Sequence, residues 1–232
     1  MSNWLKRIMT LLTAMAVFSV VHAQEGVTQL NPPQPVDNDG KVEVLEFFAY
    51  GCIHCANLEP SLEAWVKKQP TDVKVKRIPS PVPIMGIDST VMYYAIEALG
   101  QIDRLHGKIF IAANLEKVAL GNPAVLNTWL EKNGVDPKKY EEVQKSFSVV
   151  TKVARARKMV EQYAIHATPT VVVNGRFAIE QGRAGAEVMF ERIDQLVAQA
   201  RVAIKAPLMV APAAAATPAK PVAKKIEAVT AK

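Results

Sequence analysis

The only two cysteines of the 232-residue chain, Cys52 and Cys55, are separated by two residues. The segment before them, Val42 to Phe48, is rich in β-branched and aromatic residues and predicts a buried strand. The segment after them carries apolar residues at helical spacing, which predicts a helix. The pair therefore lies where a strand passes into a helix. Unpaired N–H groups at a helix start stabilise a thiolate, the reactive form of cysteine.

Several kinds of site contain such a pair. A zinc site needs two further cysteine or histidine ligands, but the chain has no third cysteine and no pair of histidines at the usual spacing. A structural disulfide across so short a loop would constrain the unfolded chain only modestly. A redox-active dithiol fits the strand-to-helix position best. A metallochaperone that binds a soft ion such as Cu(I) through Cys52, His54 and Cys55 stays an alternative.

The N-terminal segment predicts export. Lys6 and Arg7 precede an apolar run from Ile8 to Val21, and Ala23 ends a stretch like a signal-peptidase site. We therefore expect residues 1–23 to be a signal peptide cleaved after Ala23. The mature protein is then expected in the periplasm, an oxidising compartment. An uncleaved membrane anchor is the alternative, although the run is short of the ~20 residues that a span needs.

The C-terminal segment, residues 206–232, consists mainly of Ala, Pro, Val and Lys and has no aromatic residue. Its four prolines exclude a long regular helix, so we expect a disordered tail. Most of the net charge of +6 lies in the two ends of the chain. The folded middle is therefore not basic, and the charge gives no support for a nucleic-acid partner.

The middle of the chain predicts a strand, a helix, a strand, a block of helices, a longer helix, a hairpin and a final helix. The last three elements can bury their apolar faces only against the first sheet, which makes the helical block an insertion. We therefore predict a discontinuous domain (24–80 and 149–205) and a helical insertion (81–148). Asn174-Gly175 predicts a two-residue hairpin loop. Three aromatic residues of the helical block are expected to be buried in the core, namely Tyr93, Trp129 and Phe147.

These elements together resemble thioredoxin, with C-x-x-C at a helix start and Thr168-Pro169 before a hairpin. Pro60, five residues after Cys55, lies where thioredoxin has its helix-kinking proline. The predicted export, the insertion and the run Val44 to Phe48 before C-x-H-C are similar to the periplasmic DsbA-type disulfide oxidases. The resemblance covers Asp37 to Ile204. It implies an α/β, thioredoxin-like fold with an inserted all-helical domain.

The resemblance also implies roles for single residues. Cys52 is expected to be the exposed attacking thiol and Cys55 the shielded resolving thiol. His54 is expected to favour the Cys52 thiolate, and Glu46 to be a buried carboxylate near the pair. Thr168, Pro169 and Ile53 are expected to bind the substrate. A cis peptide bond is expected between Thr168 and Pro169. Ile53 departs from the family, which typically has proline there, and this leaves the redox strength open.

The function that the resemblance implies is a protein disulfide oxidoreductase without a metal or organic cofactor. It would donate its Cys52–Cys55 disulfide to folding exported proteins through a mixed disulfide. The implied partners are reduced exported polypeptides and a quinone-linked, DsbB-like protein of the inner membrane that removes the electrons; the protein is expected to be a monomer. The alternatives are a periplasmic reductase or isomerase and a redox-silent module that binds peptides beside Pro169.

Overall fold

The computed structural model describes residues 26–37, 39–181 and 185–205. The predicted signal peptide and the predicted tail lie outside these residues. The strands are β1 (Val27–Gln29), β2 (Val42–Phe48), β3 (Val73–Pro79), β4 (Thr170–Val173) and β5 (Phe177–Glu180). They form one sheet in the order β1-β5-β4-β2-β3. Strands β2 and β3 are parallel, and the other neighbours are antiparallel.

Strand β2 is fully enclosed in the sheet, because every one of its residues is buried. Burial on both faces accounts for its nearly continuous apolar sequence. Val42 and Val44 belong to a core formed with the first and last helices, whereas Leu45 and Phe47 belong to a core on the opposite face. Glu46 lies in the middle of this strand, and its register partner on β3 is Arg77. The buried carboxylate therefore has a cation beside it.

Seven α-helices lie in the described residues. They are α1 (Ile53–Lys68), α2 (Ser89–Ala98), α3 (Ile102–Phe110), α4 (Pro123–Lys132), α5 (Pro137–Gln144), α6 (Phe147–Gln162) and α7 (Gly185–Lys205), and a π-helical turn (Ile111–Leu115) follows α3. The helices predicted in the insertion, and the longer and final helices, are therefore confirmed. Four helix starts are capped by side-chain oxygens, from Asp88, Asn122, Asp136 and Ser146.

Helix α1 begins differently from those four. Its N-cap residue is Cys52, and no side-chain oxygen caps its first turn. The first N–H groups of a helix have no partner within the helix. At α1 these donors are therefore left for the sulfur of Cys52 itself.

The predicted hairpin is present, but its loop is one residue longer than predicted. Asn174 and Gly175 have positive φ angles of 49° and 62°, as a tight hairpin turn requires. The N–H of Arg176 donates to the carbonyl of Val173 at 3.0 Å. Val173 nevertheless pairs with Phe177, so three residues separate the strands. Turn chemistry predicted the two central residues correctly and the register wrongly.

The helical block packs around a separate part of the hydrophobic core. A third cluster joins Phe48 and Tyr50 to α2, α3, α4 and the π-helical turn. Tyr93 and Trp129 are buried there as predicted. The prediction for Phe147 is wrong, because this first residue of α6 is 87% exposed. The division of the chain into a discontinuous domain and an insertion stays a prediction.

Candidate active site

The two cysteines lie between β2 and α1. A turn from Ala49 to Cys52 connects the two elements, and the N–H of Cys52 donates to the carbonyl of Ala49 at 3.0 Å. Both thiols are free in this structure. Cys52 is 9% exposed and Cys55 is 1% exposed. The expectation of an exposed Cys52 holds only in relative terms: it is the more accessible of two largely covered thiols.

The Cys52 thiolate is stabilised by donors that surround its sulfur. The hydrogen bond from the Cys55 thiol is the largest influence, and it outweighs the opposing effect of burial. The Thr168 side chain and the backbone N–H groups of Cys55 and His54 act in the same direction. Together they lower the pKa of Cys52 from 9.0 to about 5. A thiol with this pKa is ionised at neutral pH and is a good leaving group.

Cys55 shows the opposite behaviour. Its thiol donates the hydrogen bond that stabilises Cys52, so losing that proton would also remove the bond. Burial and the negative charge of Cys52 add to this effect, and the pKa of Cys55 is raised far above its usual value. The pair thus holds one proton firmly on the inner sulfur and leaves the outer sulfur charged.

The three residues expected to bind substrate differ in exposure: Ile53 is exposed, Thr168 is half-buried and Pro169 is buried. The peptide bond between Thr168 and Pro169 is cis, as expected from the resemblance. When protonated, the Cys52 sulfur donates to the Thr168 carbonyl at 3.2 Å, which places the segment before β4 against the reactive sulfur. Ile53 is the first residue of α1 and is 41% exposed. Their predicted role in substrate binding is compatible with this position but stays a prediction.

The side chain of His54 is exposed, and its imidazole has no hydrogen bond within the part of the chain that the structure describes. The contribution of His54 to the Cys52 thiolate comes from its backbone N–H. The resemblance implied that His54 donates to the thiolate or favours it electrostatically. That role stays a prediction, whereas the backbone contribution follows from the position of His54 in the first turn of α1.

Glu46 is buried and belongs to a cluster of charged side chains between β2, β3 and α1. Its Oε2 accepts a hydrogen bond from Arg77 Nε at 3.2 Å, and Arg77 also donates to Glu59 Oε1 at 3.0 Å. Burial is the largest influence on Glu46, and the nearby Glu59 adds to it. The pKa of Glu46 rises to about 8 in spite of Arg77. We define Glu46, Glu59 and Arg77 as the carboxylate cluster.

Sequence reasoning missed most of this cluster. Glu59 lies one helical turn after Cys55, and a helix predicted to bury Leu58 and Leu62 carries it onto the inner side. Lys74 and Lys76 occupy alternate positions of β3 and share one face, so Arg77 lies on the opposite face. This position could have indicated that Arg77 points toward the inner side. The alternation of apolar and charged residues alone predicted only that one face of this strand is exposed to solvent.

No group of three or more histidine, cysteine, aspartate or glutamate side chains in residues 26–37, 39–181 and 185–205 is arranged to hold a metal ion. Within the same ranges, none of the helices has the length and apolar character needed to cross a bilayer.

Comparisons with known proteins agree with the geometry. The family described as Thioredoxin matches residues 37–195. A thiol:disulfide interchange protein DsbA from Bordetella parapertussis is 38% identical over 195 residues, which cover 82% of this chain and 93% of that protein. One from Burkholderia cepacia is 41% identical over 149 residues, 64% of this chain and 70% of that protein. The predicted thioredoxin-like fold is confirmed by the crystal structure of Pseudomonas aeruginosa DsbA, with a TM-score of 0.71, 31% identity and coverage of 78% and 94%.

Proposed function

Because this chain belongs to the DsbA family of thiol:disulfide interchange proteins and is a protein disulfide oxidoreductase, we propose that it works as an oxidase. It donates the disulfide between Cys52 and Cys55 to reduced polypeptides. One observation carries this direction of electron flow. The pKa of Cys52 is lowered to about 5, so the reduced protein is stabilised as a thiolate. Stabilising the reduced form makes the disulfide the stronger oxidant.

The reaction follows from the two unequal thiols. A substrate thiolate attacks the Cys52 sulfur, the Cys52–Cys55 bond breaks, and Cys55 leaves as a thiolate that takes up a proton. A second thiolate of the substrate then attacks the substrate sulfur of the mixed disulfide, and Cys52 leaves as a thiolate. The substrate loses two electrons and two protons and gains a disulfide. The protein gains the two electrons and keeps one proton on Cys55, and the second proton goes to the solvent. The reaction needs no metal or organic cofactor.

The two cysteines differ in ways that suit these two steps. A leaving thiol departs faster when its pKa is low, which suits Cys52 in the second step. Cys55 is covered and keeps its proton at neutral pH, because its pKa is raised. It therefore does not readily attack the mixed disulfide and return the reaction to its start. The second thiol of the substrate can complete the transfer instead.

The surface beside Cys52 is proposed to bind the substrate chain. The Thr168 carbonyl lies against the sulfur, Pro169 follows it through a cis peptide bond, and Ile53, next to Cys52 in the chain, offers an exposed apolar side chain. We assign substrate binding to these three residues. We also propose that the His54 charge favours the thiolate and that Glu46, in the carboxylate cluster, tunes the site from its buried side.

The setting of the reaction is part of the proposal. We propose that residues 1–23 are a signal peptide cleaved after Ala23 and that the protein acts as a monomer in the periplasm. Its substrates would be exported polypeptides in the reduced state. A quinone-linked, DsbB-like membrane protein would remove the electrons. The basis is the basic and apolar N-terminal sequence together with the family.

Equilibration of the purified protein with glutathione buffers tests the direction of the reaction. We expect a reduction potential well above the value of about −270 mV that is typical of the reductase thioredoxin. The oxidised protein should also convert a reduced, unfolded substrate to its disulfide form stoichiometrically. A potential as low as that of thioredoxin would overturn the oxidase proposal in favour of a reductase.

Two cysteine variants separate the roles of the thiols. Cys52→Ser should lose all of the thiol transfer that the wild-type protein shows. A redox-silent peptide-binding module would show no thiol transfer in either protein. Cys55→Ser keeps the reactive thiol but cannot form the internal disulfide, and it should form mixed disulfides that persist. A Cys55→Ser protein that is as unreactive as Cys52→Ser would contradict the assignment of Cys52 as the attacking thiol.

A further inference from the structure

The turn in front of Cys52 has two central residues, Tyr50 and Gly51. It is closed by the hydrogen bond from the Cys52 N–H to the Ala49 carbonyl. Tyr50 is fully buried. A Cβ at Gly51 would overlap the backbone carbonyl of Ile84, so the turn lies directly against the segment that leads into the helical block. The position of Cys52 at the start of α1 therefore depends on how this turn is held.

Every polar group of Tyr50 is bound by a residue of the helical block. Its N–H donates to Ser89 Oγ at 2.8 Å, and its carbonyl accepts from Asn114 Nδ2 at 2.7 Å. Its hydroxyl lies 2.9 Å from His106 Nδ1. The three partners are themselves buried. They come from the start of α2, the middle of α3 and the π-helical turn, and we name these four residues the Tyr50 cluster.

The π-helical turn explains how Asn114 reaches Tyr50. Asn114 donates to the carbonyls of both Tyr50 and Phe110, at 2.7 and 3.0 Å. Both partners are acceptors, so only the NH2 group of the amide satisfies them and the orientation of the side chain is fixed. A π-helical turn adds a residue to the helix, and such turns are frequent at functional sites. Here the turn directs one side chain at the loop that carries the nucleophile.

The contact between the Tyr50 hydroxyl and His106 continues from His106 to the carboxylate cluster. His106 Nε2 lies 3.5 Å from Glu59 Oε2, and neither atom has another partner among the described residues. A carboxylate accepts, so we assign the ring proton to Nε2, and Nδ1 then accepts from the Tyr50 hydroxyl. A continuous buried chain of polar contacts thus joins Tyr50 to His106, Glu59 and Arg77.

We propose that Tyr50, Ser89, His106 and Asn114 are positioning residues of the redox site, through which the helical block holds the active-site turn and sets the reactivity of Cys52. This proposal rests on the proposed function. All four are buried, so we assign them no contact with the substrate. They act through the turn, because the donors of the α1 first turn stabilise the sulfur only while Cys52 stays in its place as the N-cap residue. Buried polar groups that lose their partners are costly, so the turn has few alternative positions.

The variant Asn114→Leu tests the proposal, because it keeps the size of the side chain and removes the donor to the Tyr50 carbonyl. We expect the titration midpoint of the Cys52 thiolate, followed by its ultraviolet absorbance in the reduced protein, to rise by about one unit. At pH 4 this corresponds to an alkylation rate about tenfold lower. Ser89→Ala removes the acceptor of the Tyr50 N–H, should raise the midpoint in the same direction, and carries the test if Asn114→Leu does not fold.

Asn133→Leu is the matched control. Asn133 also donates from Nδ2 to a helix carbonyl, that of Trp129 at 2.9 Å, but it lies at the end of α4. It should lose some stability and keep the midpoint of the wild-type protein. The proposal is overturned if Asn114→Leu and Ser89→Ala fold, lose stability and also keep that midpoint. A wild-type protein without a reactive thiol or thiol transfer would instead contradict the proposed function, and it is recognised without any variant.

Discussion

Two acidic groups near the active site, the Cys52 thiol and the Glu46 carboxyl, have pKa values shifted in opposite directions. The pKa of Cys52 is lowered to about 5, and that of Glu46 is raised to about 8. Both groups are buried, so desolvation opposes ionisation in each. The difference comes from the donors that each group meets, and for Cys52 the strongest donor is the Cys55 thiol, to which backbone N–H groups add. A helix start offers unpaired N–H groups to Cys52, whereas the N–H groups around Glu46 are used in the sheet.

The balance of charges in the carboxylate cluster also favours a raised pKa for Glu46. Among the described residues, Arg77 is the one guanidinium that pairs with the buried carboxylates Glu46 and Glu59. A third carboxylate, on Glu63, lies 3.7 Å from Arg77 and is partly exposed. The cluster has an excess of negative charge when all of its carboxyl groups are ionised. A proton on Glu46 reduces this excess, and together with burial, the larger influence, this is why Arg77 does not bring the Glu46 pKa down to an ordinary value.

Arg77→Met should have the largest effect on stability. At neutral pH Glu46 keeps its proton, so the change leaves the buried Glu59 carboxylate without its cation and Glu46 without its hydrogen-bond donor. Removing one partner of a buried ion pair costs about 3–5 kcal/mol. Urea unfolding at neutral pH measures the loss. Arg201→Met is the control, because Arg201 binds Asp72 in a largely exposed ion pair that solvent screens. Equal losses in the two variants would show that the carboxylate cluster does not depend on Arg77.

Glu46→Gln should stabilise the protein. A group whose pKa is raised on folding contributes fully below its unfolded value, and that contribution is lost as the pH rises toward the folded value. For Glu46 this window runs from 4.5 to about 8. Gln does not titrate, so at pH 7 the oxidised variant should gain about 2–3 kcal/mol. The gain should fade near pH 4, and exposed Glu141→Gln should show none. A loss at pH 7 would mean that the charged form of Glu46 is needed.

The reduced protein should owe part of its stability to Cys52. A lowered folded pKa contributes fully above the unfolded value of 9.0 and is lost as the pH falls through about 5. The oxidised protein has no such contribution. Between pH 7 and pH 4, the free energy of unfolding should therefore fall by about 2–3 kcal/mol more in the reduced form than in the oxidised form. Parallel pH profiles from urea unfolding of the two forms would contradict the stabilised thiolate.

Ile53→Pro should have the smallest effect. Proline is tolerated at the first position of a helix, where the N–H has no partner. Cys52 already has the extended backbone that a residue before proline prefers, with φ −86° and ψ 114°. The groups that lower the Cys52 pKa belong to Cys55, Thr168 and His54, so the thiolate midpoint should not move. We expect unfolding to change by less than about 0.5 kcal/mol. A large shift of the midpoint would give residue 53 a role in the thiolate that the geometry does not explain.

The sequence predicted the parts of the site that are local. β-branched composition and helical spacing located β2, α1 and the cysteines between them, and the burial of Glu46 followed from its apolar neighbours. Contacts between distant segments were not predictable in the same way. Asn114 is 64 residues from Tyr50, and no periodicity reports that pairing. Phe147 was assigned to the core by residue type alone, but its position at the first turn of α6 leaves it exposed.

The most direct test of the account is the ionisation of the cysteines in the reduced wild-type protein. The ultraviolet absorbance of the thiolate against pH should show one thiol with a midpoint near 5 and none that titrates between there and about 9. Alkylation followed by peptide mapping should assign the titrating thiol to Cys52 and leave Cys55 unmodified. A midpoint near 9.0 for Cys52, the value of an ordinary thiol, would contradict the account.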